Sequence, residues 1–232
     1  MTTDDDEDED DEPHRIALCR PVYDSIEFDA GESVIEFADC WRTATPKDQH
    51  WFIPGNAARG QPVDAVRNII AKRAIIDCKA DVLVWQDSDV GLPNVLGYGN
   101  LVTSLLSMTS DVGILGVPVI KQEATGAPIV NFSMKDMPHK PNPAAPFEVA
   151  AIGFGLVAVR ADVYMAMSHP WHRFEHDATG NLASGEDIGF CDRARTLGWS
   201  VWVEPRIDAR HNFRRSHSLR DMNADQWNAL TR

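Results

Sequence analysis

Short uninterrupted apolar runs alternate along the chain with longer segments in which apolar residues recur every three or four positions. The first pattern is typical of buried strands, and the second is typical of helices that pack against a sheet. Apolar residues at positions 63, 66, 69, 70 and 74 follow Pro62 and predict a helix that begins there. The apolar run from Val82 to Gln86 comes next and predicts a buried strand.

The same alternation continues over most of the sequence, so we expect an α/β fold in which helices cover both faces of a sheet. Ser184 and Asp162 are the residue types that favour a helix start, and Gly198 is the type that favours a helix end. Residues 47–60 predict a loop, and residues 121–146 predict a loop or a hairpin. Further strands are predicted at residues 15–20, with a break at Pro21, at 111–120, at 147–160, with a bend or bulge at its glycines, and at 199–205. Further helices are predicted at 33–45, 94–108, 161–167, 184–198 and 224–231.

Composition and charge divide the chain into a tail and one domain. The 232 residues fit a single domain, and a hydrophobic share of 44% with seven Trp residues is enough for a core. The formal net charge of −13 includes nine acidic residues between Asp4 and Glu12; without these nine, 26 acidic residues face 22 basic ones, a balance of −4. We therefore expect residues 1–13 to be a disordered acidic tail and residues 14–232 to form a single domain.

The sequence also narrows the compartment in which the protein acts. It contains no run of 18 apolar residues, and its first residues are acidic where a signal peptide requires basic and then apolar ones. We expect a cytoplasmic protein that does not associate with a membrane. The four cysteines form no CxxC pair, so we expect reduced thiols rather than a zinc ribbon.

Two carboxylates, Asp87 and Asp89, come directly after the predicted strand that ends at Gln86. Like charges at this spacing repel each other unless both face water or a cation lies between them. Ligands of α/β sheets bind at the carboxyl ends of strands, which is where this pair lies. The sequence has neither a GxxxxGK[ST] loop nor a complete GxGxxG motif, so a bound diphosphate needs another positive partner, such as a divalent cation.

Other polar residues extend this hypothesis to the rest of the chain. His211 follows a predicted strand and is a candidate metal ligand, although a lone histidine is more often structural. Glu186 and Asp187 begin a predicted helix, where they serve either as first-turn charges that stabilise the helix or as a general base. His172 and His176 are four residues apart and offer a zinc site as an alternative.

Five motifs follow one another in an order that resembles a known family. They are Val66–Asn68 in a helix, Asp87–Asp89 after a strand, Gly153–Gly155, Gly185–Asp187 before a helix, and His211 after a late strand. Over about residues 15–213 the chain resembles the GT-A glycosyltransferases, and within them the compact bacteriophage-type members related to the large inverting family 2. The resemblance implies a single Rossmann-like domain with a mixed, mostly parallel sheet flanked by helices.

The resemblance also implies roles for individual residues. Asp89 would bind a Mn²⁺ or Mg²⁺ ion together with His211, and Asp87 would bind the ribose or assist the metal. Asp187 would be the catalytic base, with Glu186 beside it in contact with the acceptor or the donor sugar. The donor would be a nucleotide-sugar, usually UDP-linked. The donor would be bound by residues after the first strand, by the Arg-Asn pair in the first predicted helix and by the residue between the two aspartates. These residues are Pro21, Tyr23, Asp24, Arg67, Asn68 and Ser88.

The motifs leave several alternatives open for the reaction. Asp187 stands where a neighbouring retaining group has Asn, which favours inversion. Relatives of the bacteriophage type glycosylate modified DNA bases, glycans or proteins. A hydroxymethylated DNA base is favoured by an arginine-rich last stretch that suits phosphates, and opposed by the acidic tail. A nucleotide-sugar-binding or virion-associated module without turnover, and a metal-dependent phosphate hydrolase or nucleotidyltransferase, remain alternatives. The arginine-rich last stretch contains Arg206, Arg210, Arg214, Arg215, Arg220 and Arg232.

Overall fold

A computed structural model describes residues 13–22, 49–56, 61–94, 96–122, 128–213 and 215–217. The predicted acidic tail up to residue 12, the predicted helices at 33–45 and 224–231, and the site candidates Tyr23 and Asp24 lie outside these residues. Among the described helices, none is long and apolar enough to cross a membrane.

The elements of the described residues follow one another in the alternating order that the hydrophobic pattern predicts. The helices are α1 (Val63–Lys72), which continues as a π-helical turn over Arg73–Asp77, α2 (Leu96–Ser107), α3 (Ala161–Ala166) and α4 (Glu186–Thr196). The strands are β1 (Arg15–Val22), β2 (Gln49–Asn56), β3 (Val82–Gln86), β4 (Val90–Gly91), β5 (Val112–Gly116), β6 (Ile120–Gln122), β7 (Pro128–Val130), β8 (Phe132–Ser133), β9 (Phe147–Val149), β10 (Ala151–Ile152), β11 (Leu156–Arg160), β12 (Glu175–His176), β13 (Leu182–Ser184), β14 (Ser200–Val203), β15 (Arg210–Phe213) and β16 (Arg215–His217).

A seven-stranded sheet with the order β2-β1-β3-β11-β5-β14-β9 forms the centre of the described part of the chain. Strands β2, β1, β3, β5 and β14 run in one direction, and β11 and β9 run antiparallel to their neighbours. The predicted mixed, mostly parallel sheet is therefore confirmed. Because the parallel strands share one direction, their carboxyl ends lie along the same edge of the sheet, which we call the carboxyl edge.

Each face of this sheet is covered by its own apolar cluster. Alternate residues of a strand point to opposite faces, so Trp85 of β3 packs in one cluster and its neighbour Val84 packs in the other. Helices α1 and α4 pack in the first cluster through residues such as Ile70 and Phe190, and α2 packs in the second through residues such as Leu101. The prediction of helices on both faces is confirmed.

The edge strand β2 occupies much of the segment that the sequence predicts as a loop. Residues 49–56 pair in parallel with all of β1, with Pro21 opposite Gly55, so β1 does not break at Pro21 and instead continues to Val22. Pro54 in the middle of β2 makes the segment resemble a loop. An edge strand tolerates proline because one side of its backbone has no partner strand.

The prediction of one long strand over residues 147–160, bent or bulged at its glycines, is wrong in its continuity, because the structure divides the segment into three strands. Strand β9 lies at one edge of the central sheet, β10 pairs with β8 outside it, and β11 lies between β3 and β5. The chain turns at Gly153, whose N–H donates to the carbonyl of Asn131 at 2.6 Å. The side-chain amide of Asn131 in turn donates to the carbonyl of Gly153 at 3.0 Å, which fixes the turn between β10 and β11.

The predicted helix ends are only partly correct. Gly198 follows α4 with a left-handed φ of +94°, as a terminating glycine does. However, α4 begins after Gly185 with no side-chain cap, and the hydroxyl of Ser184 donates to the carbonyl of Gly185 instead. Similarly, α3 begins after Arg160, so Asp162 lies in its first turn rather than at its cap. Both predicted caps are therefore wrong.

Candidate functional site

The turn formed by Asp87, Ser88 and Asp89 lies at the carboxyl edge, directly after β3. The N–H of Asp87 donates to the carbonyl of Gly155 at 2.9 Å, and the N–H of Val90 donates to the carbonyl of Asp87 at 3.1 Å. These bonds close a tight turn between β3 and the short strand β4. We call residues 87–89 the DSD turn; it places two carboxylates where the parallel strands end.

Asp89 and His211 meet because a small second sheet joins distant parts of the chain. Strand β15 pairs antiparallel with β4, with His211 opposite Val90. This register brings Nε2 of His211 to 3.1 Å from Oδ2 of Asp89. The imidazole is mostly buried, with 11% of its side chain exposed, whereas 41% of the Asp89 side chain is exposed. A carboxylate oxygen and an imidazole nitrogen are thus offered together at the solvent-facing side of the turn.

Asp87 contacts a buried arginine. Nη2 of Arg67 donates to Oδ1 of Asp87 at 2.8 Å, and Nε of Arg67 lies 3.3 Å from Oε1 of Glu186. Arg67 is only 3% exposed, and its guanidinium carbon lies 5.4 Å from the ring centroids of both Trp85 and Phe154. Two acids from distant segments therefore share one cation in an aromatic setting, where charge interactions are stronger than in water.

Glu186 and Asp187 begin α4 and face different surroundings. Glu186 is 7% exposed, and burial raises its pKa, although the positive charge of Arg67 opposes this effect. Asp187 is half-buried, and its Oδ1 accepts from the N–H of Ile188 at 2.7 Å. A Cβ atom added at Gly153 would lie 3.1 Å from Oδ2 of Asp187, so the glycine provides room beside that oxygen. The two motifs Gly153–Gly155 and Gly185–Asp187 are therefore neighbours in space.

Asn68 bonds to the main chain of the segment before β12. Its Oδ1 accepts from the N–H groups of Trp171 at 2.9 Å and His172 at 3.1 Å, and its Nδ2 donates to the carbonyls of Asp64 and His172. Asn68 is 9% exposed. These bonds hold the segment against α1, and the expectation that Asn68 lies near a nucleotide stays a prediction.

His172 is a core residue rather than part of a metal cluster. Its ring is fully buried, stacks on Phe190 at 4.8 Å, and lies 3.2 Å from the hydroxyl of Tyr164 through Nε2. Burial lowers the pKa of His172 well below its usual value, and the charges of Arg67 and Arg193 lower it further. The described residues contain no group of three or more His, Cys, Asp or Glu side chains that could hold a metal ion, so the zinc alternative gains no support.

The residues at the DSD turn fit a divalent cation of the Mn²⁺ or Mg²⁺ kind with two protein ligands. Such ions take one or two carboxylates and complete their shell with water and the phosphate oxygens of a substrate. Asp89 and His211 are already in contact and could hold the ion. Asp87 is bonded to Arg67, and no third ligand joins these two among the described residues.

Arg20 at the DSD turn is a residue that the sequence analysis misses. It is fully buried, and its Nη2 donates to the carbonyl of Ser88 at 3.4 Å. The signal is an arginine near the end of an otherwise apolar strand, since a charged side chain is almost never buried without a partner. Pro21, the next residue, lies within β1 and is buried.

The arginine-rich last stretch is described only in part. Arg206 donates to both carboxylate oxygens of Glu204, which is 1% exposed, so this arginine has a structural partner. Arg210 is exposed at the start of β15. Arg214, Arg220, Arg232 and the side chain of Arg215 lie outside the described residues.

Comparisons with known proteins identify the fold. No protein-family model and no curated protein matches the sequence. Among solved structures, A197 from STIV aligns with a TM-score of 0.56 and 14% identity over 85% of each chain. The catalytic domain of Drosophila β1,4-galactosyltransferase 7, solved in complex with xylobiose, aligns with a TM-score of 0.50 and 15% identity over 94% of this chain and 80% of that one. The sheet order, the helices on both faces and these two likenesses agree, and the chain has the GT-A fold.

Proposed function

We propose that this protein is a metal-dependent glycosyltransferase that moves a sugar from a nucleotide-sugar donor, UDP-linked, to an acceptor hydroxyl. The observation that carries the proposal is the contact between Asp89 and His211 at the carboxyl edge of a GT-A fold. Two strands from distant parts of the chain pair in order to make this contact. Asp89 is 41% exposed beside this imidazole, so a ligand in solvent could reach the pair.

The residues of the DSD turn would bind the diphosphate end of the donor. Asp89 and His211 would hold the Mn²⁺ or Mg²⁺ ion, which when bound supplies positive charge opposite the negative charge that develops on the departing diphosphate. Arg67 fixes Asp87 through a 2.8 Å hydrogen bond, so the second carboxylate of the turn is held in place before the donor arrives. Such preorganisation avoids the cost of ordering the site during the reaction.

Asp187 would act as the general base. Its Oδ1 already accepts from the N–H of Ile188, so the acceptor hydroxyl would give its proton to Oδ2, beside the space left by Gly153. Removing this proton as the hydroxyl attacks makes a poor nucleophile reactive at neutral pH. A base on α4 acting on the incoming hydroxyl suits attack from the face opposite the diphosphate, so we propose inversion. Glu186 is buried against Arg67, and we assign it to holding Arg67 rather than to proton transfer.

A hydroxymethylated DNA base is the first acceptor that we propose, followed by hydroxyls of glycans and proteins. Arg210 is exposed on the strand that also carries His211, which supports a phosphate contact from this small sheet. Glucosylated DNA, a glycosylated glycan and a glycosylated protein differ in mass and are separated by mass spectrometry, so one panel of acceptors tests all three.

The test is a donor-release experiment. The protein is incubated with a panel of nucleotide-sugars and Mn²⁺, with and without acceptors, and the products are separated by chromatography. We expect release of UDP that depends on Mn²⁺ and is lost in Asp89→Asn and His211→Ala variants. Release of a monophosphate or pyrophosphate instead would identify a hydrolase or a nucleotidyltransferase, and binding of the donor without any release would identify a binding module. Each of those results contradicts the proposal.

A further inference from the structure

Arg20 occupies an unusual position in the central sheet. Within β1, Ile16 and Leu18 point to the apolar cluster that contains α2, and by the two-residue period of a strand Arg20 points to the same face. No part of its side chain is exposed. An arginine is charged at any physiological pH, so the fold carries a permanent positive charge under the carboxyl edge.

The surroundings of Arg20 connect it to the DSD turn. Its Nη2 contacts the carbonyl of Ser88 at 3.4 Å, which is the main-chain group between the two carboxylates. Burial lowers the pKa of Arg20, whereas the nearby Tyr98, Asp87 and Asp89 oppose this effect. The guanidinium therefore lies close enough to both aspartates for their charges to act on it, although it cannot reach a ligand in solvent.

Arg20 and Arg67 approach the DSD turn from opposite faces of the sheet. Arg67 belongs to α1, which packs in the cluster that contains Trp85, whereas Arg20 faces the cluster that contains α2. One arginine bonds the side chain of Asp87, and the other bonds the main chain of Ser88. The turn is thus contacted from both sides by buried cations, while 41% of the Asp89 side chain is exposed.

The charges at this edge suggest what Arg20 does for a ligand. Among the described side chains at this edge, four carboxylates, when ionised, exceed the two buried arginines by two negative charges; the carboxylates are Asp87, Asp89, Glu186 and Asp187. A divalent cation cancels that excess, after which an anionic diphosphate meets no net repulsion. Without the charge of Arg20 the excess is three negative charges, of which a divalent cation cancels two. A bound diphosphate would then face one remaining negative charge in surroundings that screen charge poorly.

We propose that Arg20 is a positioning residue for the donor diphosphate: it holds the DSD turn by the carbonyl of Ser88 and removes one negative charge from beneath it. This inference rests on the proposed function, because it requires a nucleoside diphosphate as the ligand. It differs from a role in folding alone. Arg20→Met removes both the bond to the turn and the charge, and because the loss of one partner of a buried charge interaction usually destabilises a fold, UDP affinity and thermal unfolding are measured together.

The experiment compares Arg20→Met and Arg20→Lys with Arg160→Met, a matched control. Arg160 lies at the opposite end of β11, where it donates to the carbonyls of Leu105 and Val112. Its replacement makes the same change in net charge far from the DSD turn. Calorimetry measures the affinity for UDP at saturating Mn²⁺, ligand-observed NMR measures the affinity for uridine, which lacks the diphosphate, and thermal unfolding reports folding.

We expect UDP to bind Arg20→Met about tenfold more weakly than the unmodified protein, a loss of about 1.4 kcal/mol. Arg20→Lys, which keeps the charge without the forked donor, should bind UDP with intermediate affinity, and Arg160→Met should bind it normally. Uridine affinity should be the same in all four proteins. If Arg20→Met fails to fold, an unchanged UDP affinity in Arg20→Lys overturns the inference, and a loss confined to UDP supports it.

Two further results overturn the inference. One is an unchanged UDP affinity in Arg20→Met. The other is an equal weakening of UDP and uridine together with a lower melting temperature, which would assign Arg20 to folding alone. If the unmodified protein shows no Mn²⁺-dependent UDP binding, the proposed function is contradicted and this inference falls with it, so the two failures are distinguishable.

Discussion

The two edges of the central sheet both carry arginines and acids, but they use them differently. At the edge opposite the DSD turn, the guanidinium of Arg15 donates to both oxygens of Asp81, at 2.6 and 3.1 Å. Arg160, at the end of β11, donates to three main-chain carbonyls near the end of α2 and the start of β5. At the carboxyl edge, by contrast, Arg67 is shared between Asp87 and Glu186, and Asp89 pairs with the imidazole of His211.

We interpret this difference as one between charges that serve stability and charges that, under the proposed function, serve a ligand. At the opposite edge, the donors of Arg15 and Arg160 bond to acceptors within the fold, so these two arginines need no ligand from outside. Among the described side chains of the carboxyl edge, by contrast, the acids outnumber the arginines, and a bound cation would lower the repulsion between them. Groups of this kind concentrate at functional sites, which supports the proposed function.

The largest expected effect follows from removing a metal ligand at the carboxyl edge. Asp89→Asn and His211→Ala should each reduce Mn²⁺-dependent sugar transfer more than about a thousandfold, because the charge on the departing diphosphate is no longer neutralised. Initial rates of UDP release measure this effect. Asp81→Asn at the opposite edge is the control and should keep its activity. Full activity in both ligand variants would remove the distinction between the two edges.

A smaller effect is expected from removing the proposed base. Asp187→Asn should lower kcat by at least about a hundredfold while the affinity for UDP stays the same, since the base acts on the acceptor hydroxyl and not on the donor. Steady-state kinetics and UDP calorimetry on the same preparation separate the two quantities. A parallel loss of UDP affinity would place Asp187 in donor binding instead.

The two edges should also differ in their response to acid. His172, beneath Arg67, has a pKa in the folded state well below its usual value of 6.5, so the unfolded chain binds the proton more readily. Stability is therefore lost as pH falls below about 6.5, by up to about 1.4 kcal/mol per pH unit. Urea unfolding at pH 7.0 and 5.5 should show this loss in the unmodified protein and a smaller loss in His172→Gln. Equal losses in both would assign the acid sensitivity to other groups.

Asp81 at the opposite edge should not contribute in that pH range. Burial tends to raise its pKa, but the hydrogen bonds from Arg15 outweigh burial and lower the pKa below its usual value of 3.8. The stability that this pair contributes is thus present above about pH 4 and is lost only as the pH falls further.

The smallest expected effect belongs to the Arg15–Asp81 pair itself. The two side chains are 42% and 36% exposed, so solvent screens their attraction. Asp81→Asn should cost at most about 1 kcal/mol of unfolding free energy and leave UDP affinity unchanged. Urea unfolding at pH 7.0 provides the measurement. A loss of several kcal/mol would mean that the opposite edge carries more of the stability than its exposure indicates.

Local patterns predict the parts of this molecule that depend on neighbouring residues. The helix over α1 and the buried strand β3 follow from apolar spacing, and the two acids after β3 follow from their place in the sequence. Edge strand β2 could not be predicted in this way, because Pro54 resembles a loop residue and only pairing with β1 makes the segment a strand. The prediction for residues 147–160 failed for the same reason, because pairing with different partner strands divides one apolar run into three strands.

The arrangement of the candidate site depends even more on distant pairing. No local pattern indicates that β15 pairs with β4, yet this pairing alone brings His211 to Asp89. The resemblance to GT-A glycosyltransferases places both residues at one site, but not the hydrogen bonds that hold them. Arg20 was missed because a strand of this length and apolar content is expected regardless of one charged residue, and its contact with Ser88 appears only when β1 and β3 are adjacent.

The most direct test of the account is electron spin-echo envelope modulation of Mn²⁺ added to the protein together with UDP. This method detects an imidazole nitrogen bonded to the ion. The account predicts a nitrogen coupling in the unmodified protein that disappears in His211→Ala and persists in Arg160→Met. Bound Mn²⁺ with no nitrogen coupling, or a coupling that survives in His211→Ala, would contradict the claim that Asp89 and His211 together hold the ion.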